Sequence, residues 1–124
     1  EQINETLEQI KRMGIAVSLD DFGTGFSSLS TIGELHIDTV KIDRFFISRI
    51  SRLPDQDLIT SDIISMAHKI GLLVVAEGVE DERQEAYLRK HGCDIIQGYL
   101  ISRPLAEQDA VAFLRDYIDS ECEQ

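Results

Sequence analysis

The sequence predicts an α/β fold in which parallel strands alternate with helices. Short β-branched segments are separated by longer segments whose apolar residues recur at helical spacing. Gly14, Gly71 and Gly92 each stand where a helical pattern ends and a strand pattern follows. The 124 residues are enough for about one domain. Alternation of this kind is typical of parallel βα units, which build open doubly wound sheets or (β/α)₈ barrels.

The N-terminal part of the chain contains the first two predicted strands. In chain order the elements are a helix over 1–13, a strand over 15–19, a short helix over about 28–35 and a strand over 39–42. The first helix has apolar residues every three or four positions. The first strand runs into Asp20 and Asp21, and a glycine-rich turn over 23–25 separates it from the short helix.

The C-terminal part repeats the same alternation. Its predicted elements are a long amphipathic helix over 56–70, a strand over 72–76, a helix over 81–91, a short strand over 95–96 and a last helix over about 107–119. Glycines end the first two of these helices, and Pro104 lies just before the last. About four strands, each followed by a helix, are therefore expected.

The polarity of the first two strands favours a barrel over an open sheet. Lys41 shares a strand face with Thr39 and Asp43, and Asp20 shares one with Ser18. The apolar residues Leu19, Val40 and Ile42 point to the opposite faces of these strands. A central strand in an open sheet, covered by helices on both sides, is more often apolar throughout. The sequence therefore predicts about half of a TIM-type (β/α)₈ barrel.

Charge and composition exclude several classes of partner. The chain has 12 Lys and Arg against 23 Asp and Glu, a formal net charge of −11. DNA binding through a basic face, and attraction to an anionic membrane surface, are therefore not expected. No apolar segment approaches the roughly 18 residues of a membrane span. Two cysteines suit a reducing compartment, so a cytoplasmic location is expected.

Residues capable of chemistry stand at the ends of all four predicted strands. They are Asp20 and Asp21, Lys41 and Asp43, Glu77, and Gln97. In a parallel barrel these ends converge on one mouth, where active sites of this architecture lie. Adjacent carboxylates are hard oxygen ligands for Mg²⁺ or Mn²⁺. An Asp-Asp pair alone often only caps a helix, but convergence with the other strand ends favours a metal site.

Two of these positions leave alternatives open. Lys41 on an inward strand face needs an anionic partner, which is either a structural ion pair with Asp43 or Asp20, or a substrate. A functional Lys41 would orient or deprotonate a water, or offset charge on a phosphoryl oxygen. Glu80, at the start of a predicted helix, is either a capping carboxylate or a functional one. The Gly-x-Gly at 23–25 is interpreted as a loop that lets Asp21 reach a metal.

Four ordered motifs make the chain similar to a known family. They are D-D-F-G-T-G-F-S-S-L at 20–29, V-K-I-D-R-F-F-I at 40–47, V-V-A-E-G-V-E at 74–80 and Q-G-Y-L-I-S-R-P-L at 97–105. With them the chain resembles the C-terminal half of the EAL-domain cyclic di-GMP phosphodiesterases. The resemblance implies that residues 1–124 are the C-terminal part of a single EAL domain with a modified TIM barrel. It also implies hydrolysis of cyclic di-GMP to linear pGpG with Mg²⁺ or Mn²⁺.

The resemblance assigns roles to individual residues. Asp20, Asp21 and Glu77 match metal ligands, with Asp20 bridging two ions. Lys41 matches the lysine that contacts the attacking water, so that Lys41 and Glu77 are the implied catalytic residues. Three supporting residues are Glu80, which holds the loop carrying Asp21, Gln97, which lies near the metals, and Asp43. Asp20, Lys41 and Gln97 are the implied contacts to the substrate.

The family pattern is incomplete in these 124 residues. The Glu-Ala-Leu motif and further metal ligands would precede residue 1, so the two-metal site is expected to be incomplete and this piece alone inactive. An isolated half barrel is expected to form a homodimer or otherwise self-associate. The resemblance further implies upstream sensor or GGDEF domains in the whole protein. It leaves open whether upstream segments anchor that protein to the inner membrane.

Two other functions stay open from the sequence. Some proteins of this family bind cyclic di-GMP without cleaving it, and the chain could belong to such a receptor. Without the resemblance, the same strand ends fit an enolase-type barrel with carboxylates on Mg²⁺ and Lys41 as the base.

Overall fold

The computed structural model describes residues 2–22 and 29–122. In this part of the chain, four strands form one parallel sheet in the order β1-β2-β3-β4. The strands are β1 (Ser18–Phe22), β2 (Thr39–Ile42), β3 (Leu73–Glu77) and β4 (Ile95–Gln97). Each strand pairs with the next one along the chain, as the predicted βα units require.

Helices connect and flank these strands. They are α1 (Gln2–Arg12), α2 (Leu29–Glu34), α3 (Arg44–Ile50), α4 (Thr60–Lys69), α5 (Glu82–Lys90) and α6 (Glu107–Cys122), with a 3₁₀ turn at Asp55–Asp57. None of the helices in the described ranges has the length and apolar character needed to cross a bilayer. Each of the four strands is followed by a helix, which agrees with the predicted α/β class.

The hydrophobic core lies on one face of the sheet. Val40, Ile42, Val74 and Ala76 point to this face, and each is at most 2% exposed. They are covered by α3 and α4, which pack against β3, while α5 packs on α3. Burying an Ile or Val side chain of this kind stabilises the fold by about 1.5–3 kcal/mol.

The opposite face of the sheet is open. It carries Lys41 and Glu77 towards the carboxyl ends of the strands, and Leu73 and Ile95 at their beginnings. Leu73 and Ile95 are each 50% exposed. The sheet therefore has the shape of a half barrel whose inner face is polar at the mouth and apolar below it.

The sequence prediction was wrong about the segment after β2. It placed one helix over 56–70, whereas the structure has the 3₁₀ turn Asp55–Asp57 and then α4 from Thr60, and it missed α3 altogether. Helix α3 begins because the Asp43 carboxylate accepts the Phe45 N–H at 2.7 Å. Its Phe46, Ile47 and Ile50 are buried on the core side.

The first strand also lies later than predicted, at Ser18–Phe22 rather than 15–19. Its partner β2 begins at Thr39, which stands opposite Ser18. The N–H of Val17 is bound by the Asp38 carboxylate at 2.9 Å, which ends the regular ladder there. The other elements agree with the prediction to within three residues at each end. The glycine-rich turn predicted at 23–25 lies outside the described residues.

Candidate active site

Three carboxylates meet at the mouth of the half barrel. Asp20 and Asp21 come from β1 and Glu77 from the end of β3, and each offers an oxygen within 4.8 Å of the others. Both aspartates are exposed and Glu77 is partly buried. Carboxylates at this separation repel one another unless a cation lies between them. An all-oxygen donor set of this kind suits Mg²⁺, Mn²⁺ or Ca²⁺.

A β-bulge brings both aspartates to the mouth. Leu19 pairs with Val40 and Phe22 pairs with Ile42, so two residues of β1 stand opposite the single residue Lys41. Without the extra residue, strand alternation would point Asp21 away from Asp20. Asp21 adopts a left-handed φ of 53°, which aspartate tolerates better than most residues.

The bulge also closes the core beneath the site. It returns Phe22 to the helix-covered face, where this side chain is 6% exposed. The Asp21 N–H donates to Oδ1 of Asp20 at 2.8 Å, which holds the two residues in their turn-like geometry. The glycine-rich loop that is expected to let Asp21 reach a metal lies outside the described residues. Within them, the bulge in β1 brings Asp21 to the mouth.

Lys41 is the cation of the site. Its Nζ lies 2.6 Å from Oε1 of Glu77 and 4.0 Å from Oδ1 of Asp20. The hydrogen bond to Glu77 raises the pKa of Lys41 above its usual value, against a smaller opposing effect of burial. Lys41 is therefore an ammonium group at neutral pH. It can donate hydrogen bonds and offset negative charge, but in this form it cannot accept a proton from water.

The ion pair anticipated between Lys41 and Asp43 is not present among the described residues, where Lys41 pairs with Glu77 and, more distantly, Asp20. Asp43 instead caps α3. It lies two residues after Lys41, so the same strand end carries the site cation and begins the helix that covers the sheet. Asp43 thereby has a structural task that supports the position of Lys41.

Glu80 does not cap α5, which was one of the two alternatives considered for it. Asp81 is the cap, with Gln84 completing a capping box. The Glu80 carboxylate pairs instead with Arg44 at 2.9 Å. The loop over 23–28 that Glu80 is expected to hold lies outside the described residues.

Gln97 lies beside Glu77 in the sheet, as its register partner on β4. Its side chain is exposed at the mouth, and its backbone carbonyl accepts the N–H of Val79 at 3.1 Å. Gln97 is therefore next to the acidic cluster but separated from Asp20 and Asp21 by two intervening strands.

The contact between Arg44 and Gly78 in the site region is one that sequence reasoning did not single out. Gly78 has a φ of 75°, and a Cβ on it would lie 2.5 Å from Cγ of Arg44. The arginine stem thus packs on the turn that follows Glu77, while its guanidinium holds Glu80. No residue spacing signals this contact, because it joins the turns after two different strands.

Comparison with known proteins places the chain in a family. The EAL-domain profile matches residues 1–104. The chain belongs to the EAL family. It is 47% identical over 111 residues to the cyclic di-GMP phosphodiesterase NbdA of Pseudomonas aeruginosa, and the match covers 90% of this chain and 14% of NbdA. It is 42% identical over 106 residues to the bifunctional diguanylate cyclase/cyclic di-GMP phosphodiesterase MucR of the same organism, covering 86% of this chain and 16% of MucR.

Solved EAL structures share the fold of this chain. The EAL domain of Mycobacterium smegmatis DcpA superposes with a TM-score of 0.85 at 40% identity, covering 91% of this chain and 51% of that one. The PaMucR phosphodiesterase in complex with cyclic di-GMP gives a TM-score of 0.79 at 40% identity, covering 86% and 43%. The predicted family and TIM-barrel-like fold class are thereby confirmed.

Divalent cations occur with cyclic di-GMP in another EAL relative. Klebsiella pneumoniae BlrP1 has been solved as a calcium/cyclic di-GMP complex and as a manganese/cyclic di-GMP complex. The manganese complex has a TM-score of 0.73 and 31% identity, covering 84% of this chain and 26% of that one. This agrees with the oxygen-only donor set of the cluster described above.

Proposed function

We propose that the protein containing this chain hydrolyses cyclic di-GMP to linear pGpG as a metal-dependent phosphodiesterase. The observation that carries the proposal is the meeting of Asp20, Asp21 and Glu77 around one point at the mouth, with Lys41 hydrogen-bonded to Glu77. Metal-dependent phosphodiester hydrolysis requires ligands for a divalent cation, and it is promoted by a group that offsets charge on the phosphoryl oxygens. The cluster offers both, and the relatives named above support the substrate.

Residues 1–124 are, in this proposal, the C-terminal part of a single EAL domain. The chain covers 51% of the DcpA EAL domain, and its four strands account for half of an eight-stranded barrel. The Glu-Ala-Leu motif and the remaining metal ligands would come from the other half. The site in this chain would then be incomplete, and the chain alone would be inactive.

The implied cofactor is Mg²⁺ or Mn²⁺ in a two-metal site. Asp20, Asp21 and Glu77 would hold the ions. Bound there, the ions would supply Lewis-acid activation of water and of the phosphoryl oxygens. They would also offset the net charge of −11, which otherwise disfavours a dianionic substrate.

The residues of the chain then have distinct tasks. The bulge holds Asp20 and Asp21 on the same side of the strand. Lys41, as an ammonium group, orients Glu77 and donates to the attacking water or to a phosphoryl oxygen. Gln97, beside Glu77, is placed to donate its amide to the substrate. Glu80 and Asp43 support the turns that carry these groups.

Turnover in the complete domain tests this function. The measurement is Mg²⁺- or Mn²⁺-dependent conversion of cyclic di-GMP to pGpG in the wild type and in Lys41→Ala, Glu77→Ala and the control Glu8→Ala. Removing one group that stabilises the transition state typically lowers kcat by about 10²–10³-fold, so the first two variants should lose nearly all activity. Among the described residues Glu8 pairs with Arg12 on the surface of α1, and its loss should leave turnover unchanged. Tight binding of cyclic di-GMP by an inactive wild type would make the protein a receptor.

The expected partners follow from the same proposal. Besides cyclic di-GMP, upstream sensor or GGDEF domains would regulate the site. In support, the relative MucR is named as a bifunctional diguanylate cyclase/cyclic di-GMP phosphodiesterase. A cytoplasmic location of the domain fits a site that acts on an intracellular messenger. Self-association is supported by the open apolar inner face described above, and its test is given in the Discussion.

A further inference from the structure

Two aspartates lie at the end of the sheet opposite the mouth and outside the site described so far. Asp38 immediately precedes β2, and its Oδ2 accepts the N–H of Val17 at 2.9 Å. Asp94 immediately precedes β4, and its Oδ2 accepts the N–H of Val74 at 2.8 Å. Each carboxylate therefore joins the beginning of one strand to the beginning of the strand before it.

Each aspartate also binds a side chain from the helix that leads into the earlier strand. Nζ of Lys11, on α1, lies 3.1 Å from Oδ1 of Asp38. Nε2 of His68, on α4, lies 2.7 Å from Oδ2 of Asp94. A single carboxylate thus ties together a helix, the strand that follows it and the next strand. Hydrogen bonds to a carboxylate are shorter and stronger than those between neutral groups.

The two arrangements have the same spacing along the chain. A glycine with a φ of 81° ends the helix in both cases, at Gly14 and at Gly71. The helix side chain lies three residues before this glycine, and the bound N–H lies three residues after it. Asp20 follows the first glycine by six residues, and Glu77 follows the second by six. In both cases the aspartate-bound N–H therefore lies the same number of residues before a carboxylate of the cluster, Asp20 in β1 and Glu77 in β3.

The ladders that lead from these aspartates to the mouth are short. Strand β1 has two regular pairs with β2 before the bulge, Ser18 with Thr39 and Leu19 with Val40. Strands β3 and β4 share three pairs, the last being Glu77 with Gln97. A slip of one residue in such a ladder would turn its side chains to the wrong face. Three residues, or about 10 Å of strand, separate the bound N–H from Asp20 and from Glu77.

We propose that Asp38 and Asp94 are positioning residues for the carboxylate cluster, fixing the register of β1 on β2 and of β3 on β4 from the far end of the strands. The oxygen that accepts the strand N–H sets the register. Lys11 and His68 orient the carboxylate that supplies this oxygen. The consequence for metal binding and turnover rests on the proposed function, whereas the consequence for strand register does not.

Amide hydrogen exchange in the complete protein, measured without added metal, tests the register. In Asp38→Ala, exchange should accelerate by about tenfold or more along β1 as far as Asp21, because the register is lost as a unit. Asp38→Asn keeps an oxygen acceptor for Val17 and should retain most of the protection. Asp94→Ala should likewise accelerate exchange across Leu73–Glu77, and Asp94→Asn should retain most of the protection there. Faster exchange confined to Val17 and Val74 would overturn the proposal.

Metal binding and kinetics provide the second measurement. Mn²⁺ titration should show weaker binding in both alanine variants, with near wild-type binding in the asparagine variants. Where the wild type turns over, kcat should fall by about ten- to a hundredfold with little change in KM, as expected for a displaced site group. Lys11→Met and His68→Gln, which leave the acceptor in place, should have smaller effects. Glu8→Ala is the matched surface control.

The outcomes separate this proposal from the proposed function. Alanine variants that unfold more easily but keep wild-type Mn²⁺ binding would show a purely stabilising role and overturn the positioning. A wild type that binds Mn²⁺, shows the expected exchange pattern in its variants and does not hydrolyse cyclic di-GMP would overturn the proposed function while supporting the positioning.

Discussion

Gly98 is a residue where the lack of a side chain is required by its neighbours. A Cβ at this position would lie 2.1 Å from the carbonyl oxygen and 2.3 Å from the nitrogen of Val79. Val79 cannot move away without losing hydrogen bonds, because its N–H donates to the Gln97 carbonyl at 3.1 Å and its own carbonyl accepts the Leu100 N–H at 3.0 Å. The turns after β3 and β4 are thereby held in direct backbone contact beside the mouth.

We expect Gly98→Ala to lower the free energy of unfolding by about 2 kcal/mol or more, since the clash is with backbone atoms. Gly33→Ala is the matched control. Gly33 lies in α2, where a Cβ would meet no atom within 4 Å among the described residues outside its own helix backbone and chain neighbours, so alanine there should stabilise the protein by about 0.5–1 kcal/mol. Denaturant unfolding of both variants measures the difference. Equal effects at the two glycines would contradict the steric explanation.

Single residues also show what the sequence could and could not predict about the site. Strand alternation was sufficient to predict the face of Lys41, because this side chain points away from the face that buries Val40 and Ile42. The same rule fails for Asp21, because the bulge depends on how β1 pairs with β2, and no local pattern in β1 encodes it. The short contact of Lys41 with Glu77 likewise depends on the register between β2 and β3, which the sequence of either strand alone does not show.

At the scale of elements, helix caps decide where the connections begin. Asp81 accepts the N–H of Gln84 at 2.8 Å, and the Gln84 amide oxygen accepts the N–H of Glu80 at 2.7 Å. Ser51, just after α3, donates a hydroxyl hydrogen bond to Asp81. The cap of α5 therefore also fixes α5 against the end of α3, beside the turn that follows Glu77.

Asp81→Ala should lower the free energy of unfolding by about 1–2 kcal/mol, the usual cost of losing an N-cap. The neighbouring Glu82 lies in the first turn of the same helix without a capping bond, and Glu82→Ala should cost no more than about 0.5 kcal/mol. The comparison is made by denaturant unfolding at neutral pH. A Glu82 effect as large as that of Asp81 would argue against the capping box as the cause.

The missed helix α3 has an element-scale explanation. The segment Phe45-Phe46-Ile47 is aromatic and β-branched, a composition that favours a strand or a buried turn when considered locally. Its helical state follows from the Asp43 cap at one end and from burial of three side chains against the sheet. Helices α1 and α5, which end near a glycine, were by contrast predicted to within one residue at each end.

At the scale of the whole molecule, three carboxylates link stability to acid pH. Hydrogen bonds from Val17 and from Lys11 lower the pKa of Asp38, and those from Ser51 and Gln84 lower the pKa of Asp81. Burial raises the pKa of Asp94, but His68 and the Val74 N–H outweigh it and the net pKa is lowered. A carboxylate whose pKa is lowered in the native state stabilises the fold at pH values above its ordinary pKa of 3.8. This stabilisation is lost as the pH falls through the native pKa.

The free energy of unfolding should therefore fall with decreasing pH below about pH 4. Asp38→Asn and Asp94→Asn should each show a shallower dependence in that range, because the substituted group no longer binds a proton on unfolding. Denaturant midpoints measured from about pH 6 to pH 2 give the slopes. An unchanged slope in both variants would show that these carboxylates do not carry the acid sensitivity.

Exposed apolar surface predicts how the 124-residue chain behaves alone. Leu73 and Ile95 on the inner sheet face are half exposed, and α6 buries none of its residues among the described ranges. The apolar side chains of α6 at least 39% exposed are Val111, Phe113, Leu114, Tyr117 and Ile118. Patches of this kind, with unpaired outer strand edges, promote association.

We expect the isolated chain to sediment as an assembly larger than its 14.0 kDa mass. Leu73→Lys and Leu114→Lys, which place charge on the inner sheet face and on α6, should shift it towards monomer. The variant Ile3→Lys, on exposed α1, controls for the added charge. A monodisperse wild-type monomer in sedimentation velocity would contradict association through these faces.

The sequential order of the strands has a consequence for biosynthesis. Within the described residues each strand pairs with the next one along the chain, so none of these three pairings must wait for a strand made much later. A ribosome releases the chain from its N-terminus, so the sheet can be extended by one strand each time a βα unit emerges. The nascent inner face would remain uncovered throughout this growth, which makes it the surface that a chaperone would need to shield.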